Sequence, residues 1–260
     1  MTTLAALILG AIEGLTEFLP ISSTAHLTLA SQLLGLAQSD AVKTFEIAIQ
    51  AGAILAVVAL YWRKFLDWEV LKRVAAAFVP TAVIGFVLYH FIKGYLVGNL
   101  AVTLWALGLG GAFLIVFEWF MKKRPAPIST PDEVRTLSYR KSALIGLVQA
   151  LAVIPGVSRS AATIVGGLWL GMSREAIVEF SFLLAVPTVL AASGYDLLKS
   201  AGGISSGDLG LLAIGTIASF VTAIFAVKFF LSYIRKHSFS AFGIYRIAIA
   251  VVFAAILFVW

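Results

Sequence analysis

Two short stretches hold most of the residues that could do chemistry: EGLTEFLPISSTAH at 13–26 and PGVSRSAAT at 155–163. Glu13 and Glu17 are four apart, so they share one face of a helix if that helix runs on to Pro20. No Lys or Arg stands close to them in the chain, and two like charges at that spacing need a proton, a cation or a distant Arg to be stable in an apolar setting. Paired carboxylates suit a hard divalent cation, Mg²⁺ or Ca²⁺, above all one also held by phosphate oxygens. The plainer alternative, the exposed polar end of a short amphipathic helix, sits badly with apolar flanks on both sides. Ser22, Ser23, Thr24 and His26 follow Pro20 as the N-cap and first turn of a second helical piece. Ser22 and Thr24 read as well as caps as they do as ligands. Ser23 and His26 are three apart, which predicts a hydroxyl beside an imidazole able to accept the proton of an attacking serine. His90, at a span end, and His237, beside Arg235 and Lys236, carry no such context.

The second stretch supplies the opposite charge. Gly156 lets a ligand approach the backbone; Ser158, Ser160 and Thr163 offer hydroxyls; the first N–H groups of the following helix face any anion there. Arg159 adds a permanent cation whose fork matches phosphate oxygens. A lone Arg in mid-membrane costs roughly 2.5–3.5 kcal/mol on insertion scales, so it needs a partner. That partner is a phosphate, a salt bridge to Glu13 or Glu17, or both.

These residues need scaffolding that is almost all grease. Of 260 residues, 61% are hydrophobic and 12% charged, with a mean hydropathy of +1.01. This is the composition of an all-α polytopic membrane protein, not of a soluble domain. With no cysteine, disulfides and thiolate-bound metals are excluded. The net charge of +6 is ascribed to cytoplasmic loops rather than to nucleic acid. No basic segment precedes the first apolar stretch, so no signal peptide is expected.

Six transmembrane helices are expected at 47–62, 74–92, 100–121, 177–195, 209–234 and 243–260. Two regions differ. Residues 4–12 cover only about half of a roughly 30 Å core before the acidic and proline positions, and 27–37 resume the apolar course. Residues 143–154 and 161–172 flank PGVSRS in the same way. Each region reads as a re-entrant helical hairpin with its break buried in protein. Pro20 and Pro155 are 135 positions apart, as are Phe45 and Phe180, and Thr81 and Thr216; Ser22 and Ser158 are nearly so. One membrane domain, 1–260, thus divides into halves of about 1–125 and 136–260. Three crossings per half make the repeat inverted in topology.

Loop charge bears on orientation independently. With both termini outside, Arg63, Lys64, Lys72, Arg73, the basic positions of 122–141, Arg174, Arg235 and Lys236 fall inside, and only Lys43, Lys93 and Lys199 outside. RPAPISTPDE at 124–133 is the expected linker between halves. Lys228 and Arg246 lie within spans and are expected to snorkel to the inner face. Gly108, Gly110 and Gly111 suit helix packing within one chain or across a homodimer.

Acidic oxygens, a hydroxyl and an imidazole on one hairpin, with an Arg and a helix start on the other, describe a site for phosphoryl transfer. Opening inside the membrane, it selects a phosphate head with a hydrocarbon tail; no Lys-bearing glycine-rich nucleotide loop is present. The two stretches, with KTFEIAIQAGAILAV at 43–57, resemble the bacterial undecaprenyl-diphosphate phosphatase family linked to bacitracin resistance. Both motifs match in full, and the similarity runs through essentially the whole chain.

The resemblance implies hydrolysis of undecaprenyl diphosphate with a divalent metal, in the bacterial cytoplasmic membrane, on a fold of inverted repeats and two re-entrant hairpins. It casts Glu13 and Glu17 as organisers of metal or water, Ser23 as nucleophile, His26 as acid or base or phosphate acceptor, and Arg159, Ser158 and Thr163 as phosphate ligands. The competing reading is a flippase or transporter, because inverted repeats with broken helices suit alternating access.

Overall fold

The computed structural model describes residues 1–36, 39–96, 98–124, 130, 132–199 and 209–259, so most of the expected linker lies outside the described residues. All regular structure among them is helical. The architecture rests on α1 (Thr3–Thr16), α2 (Ser23–Leu33), α3 (Asp40–Tyr61), α4 (Trp68–Val87), α5 (Leu100–Met121), α6 (Tyr139–Gln149), α7 (Arg159–Trp169), α8 (Arg174–Lys199), α9 (Leu209–Ile234) and α10 (Ser240–Val259). The helices α3, α4, α5, α8 and α9 are long and apolar enough to cross a bilayer. In α10 the stretch Ser240–Ile256 is apolar as well. At about 1.5 Å per residue, α1 with 14 residues and α2, α6 and α7 with 11 each are too short to cross alone.

Several helices begin earlier than the apolar runs suggest, because polar caps extend them past the greasy segment. Ser39 accepts from the Val42 amide at the head of α3, and Asp67 from the Glu69 amide at 2.9 Å at the head of α4. Asn99 and Ser138 do the same for α5 and α6. The α4 helix also ends earlier than expected, at Val87, with short helical turns following at Tyr89–Phe91 and Ile92–Leu96.

The principal seams pair α1 with α9, α3 with α9, α4 with α6, α3 with α8, and α5 with α10. Close approach is set by residues without bulk. A side chain on Gly10 would strike the backbone of Gly215, and one on Gly146 the backbone of Ala77. Thr81 donates to the Gly146 carbonyl at 2.7 Å, and Thr222 to that of Ala11 at 3.2 Å. Such contacts hold helices together where lipid supplies no hydrophobic drive. Gly108, Gly110 and Gly111 all face α10 of the same chain.

At one end of the bundle the basic residues are tied down. Lys64 pairs with Glu179 at 2.8 Å, Arg135 with Asp67 at 3.4 Å, and Arg235 with Glu175 at 3.5 Å. Fully buried Glu118 accepts from both terminal nitrogens of Arg174, at 2.6 and 2.7 Å, and from the Phe239 amide at 2.9 Å. This carboxylate joins the ends of α5 and α8 to the turn before α10. Lys228 is exposed on α9. Arg246 is not: it is completely buried, which overturns the expectation that it snorkels.

Replacing Glu118 by alanine leaves Arg174 and the Phe239 amide without their acceptor. The expected loss is about 2–3 kcal/mol of stability, read as a lowered melting temperature in detergent. An unchanged melting temperature would show that the three-way junction does not contribute.

Candidate active site

Both broken segments change direction in the same way. Ser22 before α2 and Ser158 before α7 have φ of 71° and 77°, the only non-glycine residues with positive φ among those described. Such backbone is strained and persists only where the surroundings fix it. Ser158 caps its helix by accepting from the Ala161 amide at 3.2 Å, whereas the Ser22 side chain makes no cap bond. Gly156, with φ of 98°, turns the second break, and a side chain there would collide with the Thr103 carbonyl.

Between the breaks lies a cavity of about 270 Å³. Its walls include Glu17, Ser22, Ser23, Gly156, Ser158 and Arg159, six positions that residue type alone nominated. Glu17 is the hub. Its Oε2 accepts from Ser23 Oγ at 2.5 Å, while its Oε1 accepts from Arg159 Nε and Nη2, each at 3.3 Å. Arg159 also donates from Nη1 to the Ser181 carbonyl at 2.9 Å, which fixes the plane of its fork. One carboxylate from the first break thus orients a hydroxyl of its own segment and a cation of the second.

The remaining nominated residues stand elsewhere. Ser23 and His26 do not share a hydrogen bond. His26 Nδ1 lies 2.8 Å from the Ser22 carbonyl and Nε2 2.9 Å from the Tyr245 hydroxyl, with the two rings nearly parallel. The imidazole faces a second, apolar cavity behind the first break. Both residues lie in the first turn of α2, but the Ser23 hydroxyl is turned to Glu17 and the imidazole to the Ser22 carbonyl and Tyr245. Ser160 is buried and donates to the Phe18 carbonyl at 2.8 Å; Thr163 is buried and donates to Gln149 Oε1 at 3.0 Å. Both point into protein, so neither is on the cavity wall as expected of a phosphate ligand. Glu13 lies one turn before Glu17, fully buried, and neither carboxylate oxygen has a hydrogen-bond partner among the described residues.

Sequence reasoning missed three groups. Gln149 ends α6 and joins Thr163 to Thr81 and Thr188. Gln50 on α3 lines the cavity and accepts from Ser193 of α8 at 3.0 Å. A glutamine within an apolar run was the available signal for both. The third is Arg246, whose five donors are all used on main-chain carbonyls. Nε reaches Leu107 at 3.2 Å; Nη1 reaches Pro20 at 3.2 Å and Val157 at 3.0 Å; Nη2 reaches Ala106 at 3.1 Å and Gly156 at 2.9 Å. One side chain therefore holds both breaks to α5, and Gly110 leaves the space through which it passes.

Five helices long and apolar enough to cross a bilayer, with shorter helices interrupted among them, define a multi-pass membrane protein. The chain belongs to the family described as bacitracin resistance protein BacA, whose model matches residues 6–252. It is 50% identical over 256 residues to the undecaprenyl-diphosphatase of Aquifex aeolicus, covering 98% of both chains. To the protein of that name from Thermus thermophilus it is 49% identical over 253 residues, covering 96% of this chain and 95% of the other.

Arg246→Met would leave the break carbonyls of Pro20, Gly156 and Val157 without this donor and sever their link to α5. The expected result is destabilisation by at least about 3 kcal/mol, with Arg246→Lys recovering only part because an ammonium has three donors and no fork. Thermal unfolding in detergent that ranks the methionine variant level with the parent would refute this role.

Proposed function

We infer that this protein is a phosphatase of the membrane, hydrolysing undecaprenyl diphosphate to undecaprenyl phosphate and phosphate and so recycling the lipid carrier of cell-wall synthesis. The single observation that carries the reading is Glu17, holding the Ser23 hydroxyl and the Arg159 guanidinium on one cavity wall. The name of both relatives, undecaprenyl-diphosphatase, agrees with it.

In this reading Ser23 Oγ attacks the terminal phosphorus, its proton passes to Glu17 Oε2, and the lipid monophosphate leaves with the bridging oxygen. Water then hydrolyses the phosphoserine and the serine proton is restored. Arg159, Ser158 and the first turn of α7 bind the phosphate oxygens, where negative charge accumulates. Ser23 is favoured over His26 as nucleophile because both imidazole nitrogens are engaged away from the cavity.

A divalent cation, Mg²⁺ or Ca²⁺, also belongs to this proposal. Among the described residues no three acidic or histidine side chains converge, so Glu13 and Glu17 are the donors on offer. The two buried, unpartnered oxygens of Glu13 suit a positive charge. One or two carboxylates with substrate phosphates is a usual shell for Mg²⁺; Glu17 on the cavity wall fits such a cation, with Glu13 one turn behind it. When bound, it would neutralise the charge gathering on those oxygens.

The topology proposed is six crossings and two re-entrant hairpins in an inverted repeat, with α1–α5 and α6–α10 as the halves. The exchange of partners supports it: α1 packs on α9 as α6 packs on α4, and α5 and α10 pack on each other. Both breaks also carry the same positive-φ serine. The basic helix ends gather at one end of the bundle. The cavity lies away from that end, beside Gln50 at the middle of α3 and Ser193 in the last third of α8. This supports a site open to the outer side of the cytoplasmic membrane, with both termini there. A flippase is less well supported, because anion binding alone does not call for a serine hydrogen-bonded to a carboxylate.

Phosphate release from undecaprenyl diphosphate in detergent is the test. Ser23→Ala, Glu17→Gln and Arg159→Lys are each expected to lower kcat by about 10²-fold or more; undiminished turnover in Ser23→Ala would overturn the assignment of the nucleophile. A chelator is expected to abolish release in the parent protein and added Mg²⁺ or Ca²⁺ to restore it, whereas full activity in excess chelator would remove the cation from the proposal.

A further inference from the structure

We propose that the apolar groove between α4, the end of α6 and α8 seats the head-proximal part of the substrate's prenyl tail, with Gly85 and Phe86 at its floor and rim. The inference rests on the phosphatase reading and adds to it where the hydrocarbon goes and which residues select it.

The groove encloses about 510 Å³ and shares four wall residues with the polar cavity: Ala152, Arg159, Thr188 and Ala192. The two spaces therefore meet at the guanidinium. On the groove side of that junction the polar atoms already have partners, since Gln149 donates to Thr81 at 3.1 Å and to Thr188 at 3.2 Å. Nothing there calls for water. Beyond it the wall is Phe78, Ala82, Gly85, Phe86 and Ile92, with the edge-to-face pair Tyr89 and Tyr195 at 4.8 Å. Phe86 is 71% exposed on the outer face of α4, so the far end opens where lipid lies. A branched chain whose first carbons leave the phosphates at Arg159 meets continuous apolar wall out to the bilayer.

A larger apolar groove, about 730 Å³, lies between α1–α2 and α9–α10. It shares no wall residue with the polar cavity. The backbone of the first break stands between them, with Ser22, Ser23 and Thr24 on one side and Ile21 and His26 on the other. Of these two grooves, the one on the α4 side is the one that a tail tethered to phosphates in the polar cavity meets.

Gly85 makes the proposal testable, because a side chain built on it meets nothing within 4 Å. A leucine there grows into the groove rather than into protein, and replacing a glycine within a helix favours folding. Phosphate release would be measured with undecaprenyl diphosphate for the parent, Gly85→Leu, and Ala241→Leu on the wall of the larger groove. Gly85→Leu is expected to raise KM about tenfold with kcat within about twofold, and Ala241→Leu to behave as the parent. Unchanged KM in Gly85→Leu, a rise in Ala241→Leu instead, or a fall in kcat at constant KM would each overturn the tail assignment. If Gly85→Leu failed to fold, Gly85→Ala is expected to raise KM about two- to threefold, and no rise would count against the proposal equally. A parent protein that releases no phosphate would refute the phosphatase reading itself, a result distinct from all of these.

Discussion

A helix that stops inside a bilayer exposes carbonyls and amides that hydrocarbon cannot satisfy, and every other feature here follows from meeting that demand within the chain. Arg246 meets most of it. Its donors take the carbonyls of Pro20, Gly156 and Val157, one from the first break and two from the second. Ser160 takes that of Phe18, and His26 lies in hydrogen-bonding distance of that of Ser22. With the main chain held by these groups, Ser22 and Ser158 can keep a conformation that a free chain would abandon.

The polar residues accordingly divide into two sets with different work. Ser160, Thr163, Gln149, His26 and Arg246 hold backbone or one another, and their satisfied polar atoms rigidify the breaks. Glu17, Ser23, Ser158 and Arg159 face the cavity. Glu17 with Arg159 forms a largely buried pair, their side chains 8% and 11% exposed. An ion pair in such a place is weak evidence of stability. Its value lies in orientation, because the same carboxylate fixes both the serine hydroxyl and the guanidinium.

How much of this was legible follows from the physics of each residue. The crossings of α3, α4, α5, α8 and α9 could be read because lipid demands long apolar runs. Their ends could not, since charged positions such as Asp40, Lys43 and Arg174 look foreign to a membrane but belong to capped helices that overrun it. The salt bridge from Glu17 to Arg159 was among the stated alternatives. Ser23 and His26 do not pair because each finds a partner from a distant or preceding segment, Glu17 for the hydroxyl and Tyr245 with the Ser22 carbonyl for the imidazole, which spacing alone does not reveal. Ser160 and Thr163 have the chemistry of phosphate ligands, but helix phase turns them inward. Arg246 was misread because a lone cation in a span ordinarily reaches for the headgroups. The carbonyls that retain it exist only once distant segments have come together.

That last dependence constrains the order in which the protein can be made. The carbonyl of Pro20 waits for a guanidinium 226 residues downstream. A ribosome must therefore deliver every helix from α2 to α9 before α10 can enter and lock the first break in place. A chain without α10 would retain the motif residues but lose the guanidinium that ties both breaks to α5.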